Sequence, residues 1–259
     1  MFIKSYIGRN LVKLQKKIHG GFKVQKGIQT EKYGTKYGNW CIPANYLNKD
    51  SICYLAGVGE DVSFDIELAQ NFGCKVYLFD PTPRAKDHFE KITYSILNNQ
   101  AFSPTGSLEY TYKIDKEKLI LLNFIEYGLW NTTDELKFFA PQNESHVSHS
   151  ILNLQNTTHY FVAKVKPVHE FMQQFNHTKI HLLKLDIEGA EYAVIDSVLD
   201  NKIPVDIFCI EFDEAHTPKS FGFLNRISNY VKKILDAGYI LIDQDEDLNM
   251  TFMKKQNVL

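Results

Sequence analysis

The stretch that decides the fold is residues 52–61, ICYLAGVGED, in which a run of apolar residues ends at two closely spaced glycines. The run Ile52–Ala56 is typical of a strand that is buried on both faces of a sheet. Gly57 and Gly59 follow, and residues 63–72 then place apolar side chains on one helical face. A glycine turn between a strand and a helix lets backbone amides approach a ligand closely, so we expect a binding crevice here.

The same alternation of strand and helix patterns continues along the chain. Further strands are predicted at 75–79, 119–124, 182–185, 205–212, 239–243 and 249–253, and helices at 84–97, 190–199 and 223–235. Near-continuous apolar strands that alternate with helices predict an α/β fold with a mostly parallel sheet covered on both faces. The last two strands flank the acidic turn 244–248, which predicts a hairpin that adds an antiparallel strand.

The composition of the chain agrees with one large globular domain. Its 259 residues are 44% hydrophobic and 23% charged, which excludes a mostly disordered chain. No apolar run approaches the roughly 20 residues needed to cross a membrane. The N-terminus lacks the uninterrupted apolar region and the small-residue cleavage site of a signal peptide. The four cysteines form no C-x-x-C pair, so we expect reduced thiols and a cytoplasmic protein.

The N-terminal residues 1–36 differ in charge from the rest of the chain. They contain nine Lys or Arg and one acidic residue, a net charge of +8, whereas the remaining chain carries −10. Apolar residues recur near helical spacing in this segment, which predicts an amphipathic basic helix. Such a helix either packs on the body or a second subunit, or contacts an anionic membrane or carrier, here at the inner face of the membrane. We therefore divide the chain into a basic arm, 1–36, and a body, 37–259.

The segment 131–160 interrupts the alternation of strands and helices. It is polar and rich in Asn, Thr, Ser and His, and Glu135–Phe139 is predicted to be a short strand within it. Long insertions in compact domains are usually functional or disordered. We expect this one to act as a lid or as a wall of the acceptor site.

Two of the strand ends predict the residues of a cofactor site. Gly57 and Gly59 form a G-x-G turn, but Val62 stands where the third glycine of the dinucleotide-binding pattern belongs. Asp80 ends the next strand, 21 residues after Gly59, which is the place of a carboxylate that accepts both hydroxyls of a ribose. The alternative is that Asp80 caps the following helix.

The later strand ends predict the catalytic groups. Asp186 and Glu188 lie at a tight turn with Gly189, and they are suited to act as a general base, to orient an acceptor hydroxyl, or to hold a metal. The alternative is that they cap the next helix. His216 follows the fifth strand in an acidic loop and is either a second candidate base or an ordinary surface histidine. No fixed ligand spacing indicates a metal site.

Five motifs together resemble a known family. LAGVGEDVSFD, LFDPTPR, YGLWNTTDELKFF, KLDIEGAEYAVI and IFCIEF occur in this order. They are similar to the FkbM-type S-adenosylmethionine-dependent methyltransferases over roughly residues 33–255, including YGTKYGNW at 33–40. The arm is not covered. Leu55 and Asp61 stand where many members have an acid and a glycine.

The resemblance implies a fold, a cofactor and a reaction. The fold would be the Rossmann-like class I methyltransferase sheet, seven strands and mostly parallel with an antiparallel last strand, and the cofactor S-adenosyl-L-methionine. The reaction would be O-methylation of a saccharide, as in polysaccharide biosynthesis, or of a small hydroxylated product, with no nucleic acid as partner. Asp186 or His216 would be the base and Glu188 would orient the acceptor. The residues that would contact the cofactor are Gly57, Val58, Gly59, Glu60, Asp61, Asp80, Pro81, Thr82, Leu129 and Trp130.

Three alternatives remain open at this stage. The glycine turn and Asp80 also suit an NAD-dependent dehydrogenase or an epimerase of a nucleotide sugar. A binding protein built on a methyltransferase fold would share every motif but lack turnover. A metal-dependent methyltransferase would use Asp186, Glu188 and Asp213 as ligands.

Overall fold

The computed structural model describes residues 21–139, 157–215 and 222–257. The strands are β1 Thr30–Tyr33, β2 Trp40–Pro43, β3 Ile52–Ala56, β4 Lys75–Phe79, β5 Leu122–Ile125, β6 Gly128–Leu129, β7 Asp134–Phe139, β8 Tyr160–Lys166, β9 Ile180–Leu185, β10 Val205–Glu211, β11 Tyr239–Gln244 and β12 Asn249–Lys254. The helices are α1 Ser63–Phe72, α2 Pro83–Leu97, α3 Val168–Gln174, α4 Glu191–Asp200 and α5 Phe223–Asp236.

A seven-stranded sheet forms the centre of the molecule. Its strand order is β11-β12-β10-β9-β3-β4-β5. The pairs from β10 to β5 are parallel, whereas β12 is antiparallel to both β10 and β11. The predicted Rossmann-like α/β fold, with a mostly parallel sheet and an antiparallel last strand, is therefore confirmed.

Each face of this sheet is covered by a layer with its own apolar core. Helices α3, α4 and α5 pack on one face, where Tyr54 of β3 and Phe208 of β10 lie. Helices α1 and α2 pack on the other face together with β2, and there they meet Leu55 and Val76. Neighbouring residues of one strand point to opposite faces, so an almost wholly apolar strand is what a doubly covered sheet requires.

The third predicted strand is partly wrong. The expected span 119–124 begins as a 3-10 turn, Lys116–Leu121, and the strand β5 starts only at Leu122. The turn is held from outside, because Lys118 Nζ donates to Gln70 O at 2.7 Å. Ile120 is exposed although it lies in an apolar run. Composition alone therefore placed the strand start three residues too early.

The N-terminal hairpin β1-β2 was not predicted as secondary structure. It pairs Thr30 with Pro43 and Tyr33 with Trp40. It is fixed to the main sheet by Thr251 Oγ1, which donates to Cys41 O at 2.8 Å. The expected boundary between arm and body at residue 36 falls inside this hairpin. The described part of the arm is thus packed with the body, and the expected helix of the arm lies mostly in residues 1–20, outside the described residues.

A small second sheet accounts for part of the polar insertion. It has the order β6-β8-β7, and β7 pairs antiparallel with β8. The short strand predicted at Glu135–Phe139 is confirmed by β7, which begins one residue earlier. Residues 140–156 of the expected lid lie outside the described residues.

Two further sequence predictions concern the membrane and the cysteines. Within the ranges described above, no helix has the length and apolar character needed to cross a membrane. All four cysteines are free thiols, as predicted, and Cys53, Cys74 and Cys209 are buried.

Candidate active site

The crevice lies where the parallel strands of the main sheet end. In sheet order β4, β3, β9 and β10 are neighbours, so the residues that follow them share one edge. These residues are Asp80, Gly57, Asp186 and, as the last residue of its strand, Glu211. The sequence prediction that these strand ends come together is therefore confirmed, and ligands of open α/β sheets bind at such an edge.

The two positions in the turn require glycine for different structural reasons. Gly57 has φ +80°, and a Cβ there would lie 1.6 Å from Asp186 O, so no side chain fits. Gly59 has φ +56°, and a Cβ there would meet no atom of the described residues within 4 Å. Gly57 is required for close packing of two strand ends. Gly59 borders open space, which is what a loop that cradles a cofactor needs.

Asp80 is bound by the protein through both carboxylate oxygens. Oδ2 accepts hydrogen bonds from the backbone N–H groups of Val58 and Gly59, both at 3.0 Å. Oδ1 accepts from Thr82 N at 2.8 Å and from Thr82 Oγ1 at 2.6 Å. A carboxylate has about four lone-pair positions, so a ribose hydroxyl would have to share or replace one of these bonds. Asp80 thus fixes the glycine turn against the start of α2; it binds Thr82, which is itself the N-cap of the helix.

The other residues expected near the adenosine part lie around Asp80 at different depths. Thr82 caps α2, since its Oγ1 accepts from Ala85 N at 3.3 Å. Pro81 packs beside Gly128. Leu129 is only 3% exposed and belongs to the core on the α3–α5 face. Trp130 packs on the small second sheet.

Glu60 forms a salt bridge with an arginine. Arg84 donates to both of its carboxylate oxygens, from Nε at 2.8 Å and from Nη2 at 3.0 Å. Partial burial raises the pKa of Glu60, but the Arg84 hydrogen bond and charge outweigh it, so the pKa is lowered. Bidentate pairs of this kind fix geometry well. Glu60 therefore ties the glycine turn to α2.

Asp61 links the turn to the N-terminal hairpin. Its Oδ1 accepts from Ser63 N at 3.0 Å, and its Oδ2 accepts from Thr35 Oγ1 at 2.5 Å. Ser63 Oγ in turn accepts from Thr35 N at 2.8 Å. The segment 34–39 between β1 and β2, here called the hairpin loop, is thereby fixed over the start of α1.

A buried lysine is the main residue of the crevice that sequence reasoning missed. Lys184 Nζ donates to Gly57 O at 2.8 Å and to Asp186 Oδ2 at 2.9 Å. Burial by itself lowers the pKa of Lys184, but the charges of Asp186 and Asp65 outweigh it and raise the pKa. Lys184 therefore stays charged and joins the two central strand ends. The sequence could have indicated this residue, because Lys184 is a charged side chain inside the apolar strand pattern KIHLLKLD.

Asp65 of α1 is the second acid near this lysine. It is buried, and its Oδ1 has no hydrogen-bond partner among the described residues. Burial raises its pKa to about 7, and Lys184 acts in the opposite direction. The pair Lys184–Asp186 thus stands beside a carboxyl group that titrates near neutral pH.

The turn after β9 is held by a buried acid of the following helix. Glu191 Oε1 accepts from Ile187 N at 3.2 Å and from Gly189 N at 2.9 Å. Burial raises the pKa of Glu191 well above its usual value. Glu188 adopts φ +52°, a conformation that side chains rarely occupy. The N-cap of α4 is Ala190, and it has no side-chain capping bond, so neither Asp186 nor Glu188 stands at the cap position; Glu191 holds the turn that precedes the helix.

The acidic residues after β10 are more buried than the sequence suggested. Glu214 is buried, and its carboxylate binds Tyr192 Oη at 3.0 Å and Arg226. His216, the second candidate base, lies outside the described residues. In the three described ranges, no group of at least three His, Cys, Asp or Glu side chains has the arrangement of a metal site.

The chain is similar in sequence to known proteins. The family model described as Methyltransferase FkbM domain matches residues 49–241. A curated relative, "Queuine tRNA-ribosyltransferase-like protein" of Plasmodium falciparum (isolate 3D7), is 27% identical over 161 residues, which is 59% of this chain. This chain spans 39% of that relative's length.

Two solved structures have a similar arrangement of chain. An rRNA methylase from Streptococcus thermophilus has a TM-score of 0.40 and 13% identity, over 82% of this chain and 90% of that one. Fibrillarin from Aeropyrum pernix, solved with bound S-adenosyl-L-methionine, has a TM-score of 0.38 and 11% identity, over 91% of this chain and 85% of that one.

Proposed function

Because the chain belongs to the FkbM methyltransferase family, we propose that it transfers a methyl group to a hydroxyl of a saccharide or a related hydroxylated acceptor. It is an S-adenosylmethionine-dependent methyltransferase, and its cofactor is S-adenosyl-L-methionine. The family match removes the basis for the dehydrogenase and epimerase alternative. The observation that carries the proposal is the Lys184–Asp186 pair beside the glycine turn.

The residues of the turn fit the cofactor. The open space beside Gly59 and the N-terminus of α1 suit a ligand that approaches the backbone. In the proposal, residues 57–61 support the methionine part of the cofactor. Asp80 holds this turn in place and exchanges one of its bonds for a ribose hydroxyl. Pro81, Thr82, Leu129 and Trp130 surround the adenosine part.

Asp186 is our proposed base. When bound, the cofactor supplies a sulfonium methyl group that a positioned nucleophile can accept. Lys184 holds Oδ2 of Asp186, whereas no hydrogen bond to Oδ1 is found in the described part of the chain. Asp186 is partly open, with 33% of its side chain exposed. Oδ1 is therefore the atom that would accept the proton of an acceptor hydroxyl, with Glu188 orienting the acceptor.

Two other parts of the chain belong to this proposal. The insertion 131–160 would form a wall over the acceptor, since its described ends build the small sheet beside Gly128. The arm, with its charge of +8, would contact an anionic surface from the cytoplasmic side. Co-sedimentation of the full chain with anionic and zwitterionic vesicles tests the second point, and equal binding to both would contradict it.

Calorimetric titration of the full chain with S-adenosyl-L-methionine and, separately, with NAD tests the cofactor site. We expect micromolar binding of S-adenosyl-L-methionine, no binding of NAD, and a clear loss of affinity in Asp80→Ala. Methyl transfer is then measured on a panel of saccharides, with transfer RNA as a competing acceptor. Transfer to RNA alone would contradict the saccharide assignment, and cofactor binding without transfer to any acceptor would favour a binding protein.

A further inference from the structure

The first residue of α4 turns its side chain back onto the chain that precedes the helix. Glu191 is only 1% exposed. Its Oε1 accepts from Ile187 N at 3.2 Å and from Gly189 N at 2.9 Å. An acid in the first turn of a helix interacts with the helix dipole from an exposed position as well, and so needs no burial for that purpose. The burial of Glu191 is therefore explained by the turn after β9 and not by the helix.

This turn has an unusual backbone. Ala190 N donates to Ile187 O at 3.3 Å, and both residues between them have positive φ, +52° at Glu188 and +101° at Gly189. Type I′ turns have positive φ at these two positions and favour Gly, Asn or Asp there. Glutamate is disfavoured in this conformation, because its Cβ approaches the backbone too closely. Glu188 is thus strained, and something must hold it.

A second unfavourable feature lies in the same turn. Oε2 of Glu191 is buried and makes no hydrogen bond to any described residue. A buried polar atom without a partner is destabilising. Strained residues persist only where their surroundings hold them, and such features cluster at functional sites. Both features here border Asp186, the proposed base.

Asp186 and Glu188 are held by different parts of the chain. Asp186 is fixed from the sheet, because its N–H donates to Ala56 O at 3.2 Å and Lys184 binds its Oδ2. Glu188 lies beyond the strand, between the two amides that Glu191 binds. We propose that Glu191 is a positioning residue for methyl transfer, which holds Glu188 in the conformation that orients the acceptor hydroxyl beside Asp186. This inference rests on the proposed function and adds the residue that shapes its acceptor side.

The expected consequences follow from the bonds to Oε1. Without this acceptor, the turn is free to relax to negative φ at Glu188, which moves its side chain. A displacement of about 1 Å in a positioning group can lower the rate by about 10²-fold. The cofactor turn is joined to β9 by Lys184, which donates to Gly57 O, and not by Glu191. Loss of the bonds to Oε1 should therefore change turnover and leave cofactor binding intact.

A double-mutant cycle on methyl transfer tests the proposal. Release of S-adenosylhomocysteine by the full chain is measured with the saccharide panel as acceptors. The variants are Glu191→Gln, Glu191→Met, Glu188→Ala and the double variant Glu188→Ala/Glu191→Met. Gln keeps an acceptor oxygen for the two amides, whereas Met has a similar length and lacks one. The matched control is Glu90→Met, which changes an exposed glutamate of α2.

We expect Glu191→Met to lower kcat/KM for the acceptor by about 10²-fold. Glu191→Gln and Glu90→Met should stay within about threefold of wild type, and the dissociation constant of S-adenosyl-L-methionine should change by less than about threefold in all three. Because Glu191 acts through Glu188, addition of Glu191→Met to Glu188→Ala should lower kcat/KM by less than about threefold more.

Four results would each overturn the proposal: wild-type turnover in Glu191→Met, equal losses in Glu191→Gln and Glu191→Met, additive losses in the double variant, or a loss of cofactor affinity as large as the loss of turnover. If Glu191→Met does not fold, Glu191→Asp replaces it, because the shorter acid withdraws its oxygen from the two amides; wild-type turnover in that variant would also overturn the proposal. Absence of wild-type turnover on every saccharide refutes the proposed function and this inference together, whereas the other results refute this inference alone.

Discussion

The two halves of the crevice use carboxylates in different ways. On the half formed by β4, Asp80 accepts four hydrogen bonds from its own chain. On the half formed by β9, Asp186 is bound by Lys184 through one oxygen and is partly open. A carboxylate whose two oxygens are both occupied by donors of its own chain holds a loop in shape, whereas one held on a single oxygen keeps an acceptor position for a ligand. Position at a strand end therefore does not by itself define what an acid does.

The two glycines of the turn give the largest contrast. Gly57→Ala would place Cβ 1.6 Å from Asp186 O, at φ +80°. We expect a loss of at least about 4 kcal/mol in the free energy of unfolding. Gly59→Ala adds a methyl group to open space at φ +56°. It should cost only about 1–2 kcal/mol in stability but weaken S-adenosyl-L-methionine binding roughly tenfold.

Urea unfolding and calorimetric titration measure these two effects separately. If Gly59→Ala binds the cofactor as tightly as wild type, the open side of Gly59 is not where the cofactor lies. If Gly57→Ala unfolds like wild type, the contact between the two strand ends is not what requires glycine.

Asp186→Asn tests the half of the crevice formed by β9 through its effect on the turnover rate. The substitution keeps the shape and an oxygen for Lys184 but removes the proton acceptor. We expect kcat to fall by about 10²–10⁴-fold, with the dissociation constant of S-adenosyl-L-methionine within about threefold of wild type. Release of S-adenosylhomocysteine with an accepted saccharide is the measurement. Asp87→Asn is the control, since it removes an exposed carboxylate of α2.

The result also decides between the two candidate bases. Unchanged turnover in Asp186→Asn would move the role to His216. If His216→Ala also leaves turnover intact, both assignments are wrong.

The central elements could be predicted from the sequence because local and long-range signals agree there. Strands β3 and β4 and helix α1 have the predicted bounds. Each has a dense apolar pattern followed by a turn residue, Gly57, Asp80 or Gly73. The hairpin β1-β2 was missed because four-residue strands offer too little periodicity, and its position depends on contacts distant in sequence, such as Thr251 to Cys41.

The site was predictable at the level of residue positions but not of bonds. The rule that parallel strands share a carboxyl edge brought Asp80 and Asp186 together correctly. The sequence could not show that Asp80 is saturated, because its four donors depend on the exact turn of the backbone. Nor could it show that Glu191 rather than Asp186 holds the turn after β9. Hydrogen bonding of a buried acid is set by the folded surroundings.

The smallest expected effect concerns Asp65 of α1, the buried acid near Lys184. Burial raises the pKa of Asp65 to about 7 from its ordinary value of 3.8. An acid whose pKa is higher in the folded state binds protons more tightly there, so its contribution to stability decreases as the pH rises between about 4 and 7. Asp65→Asn removes this contribution and should flatten the dependence of unfolding free energy on pH in that range. Part of the slope should remain, because burial also raises the pKa of Glu191.

Urea unfolding of wild type and Asp65→Asn at pH 5 and pH 8 measures this difference. Asp236→Asn, at the end of α5, is the matched control and should keep the wild-type slope. An unchanged slope in Asp65→Asn would mean that Asp65 is charged in the folded protein throughout this range. Lys184 would then be shared by Asp65 and Asp186, and its charge would act less strongly on Asp186 than the bonds to Gly57 and Asp186 indicate.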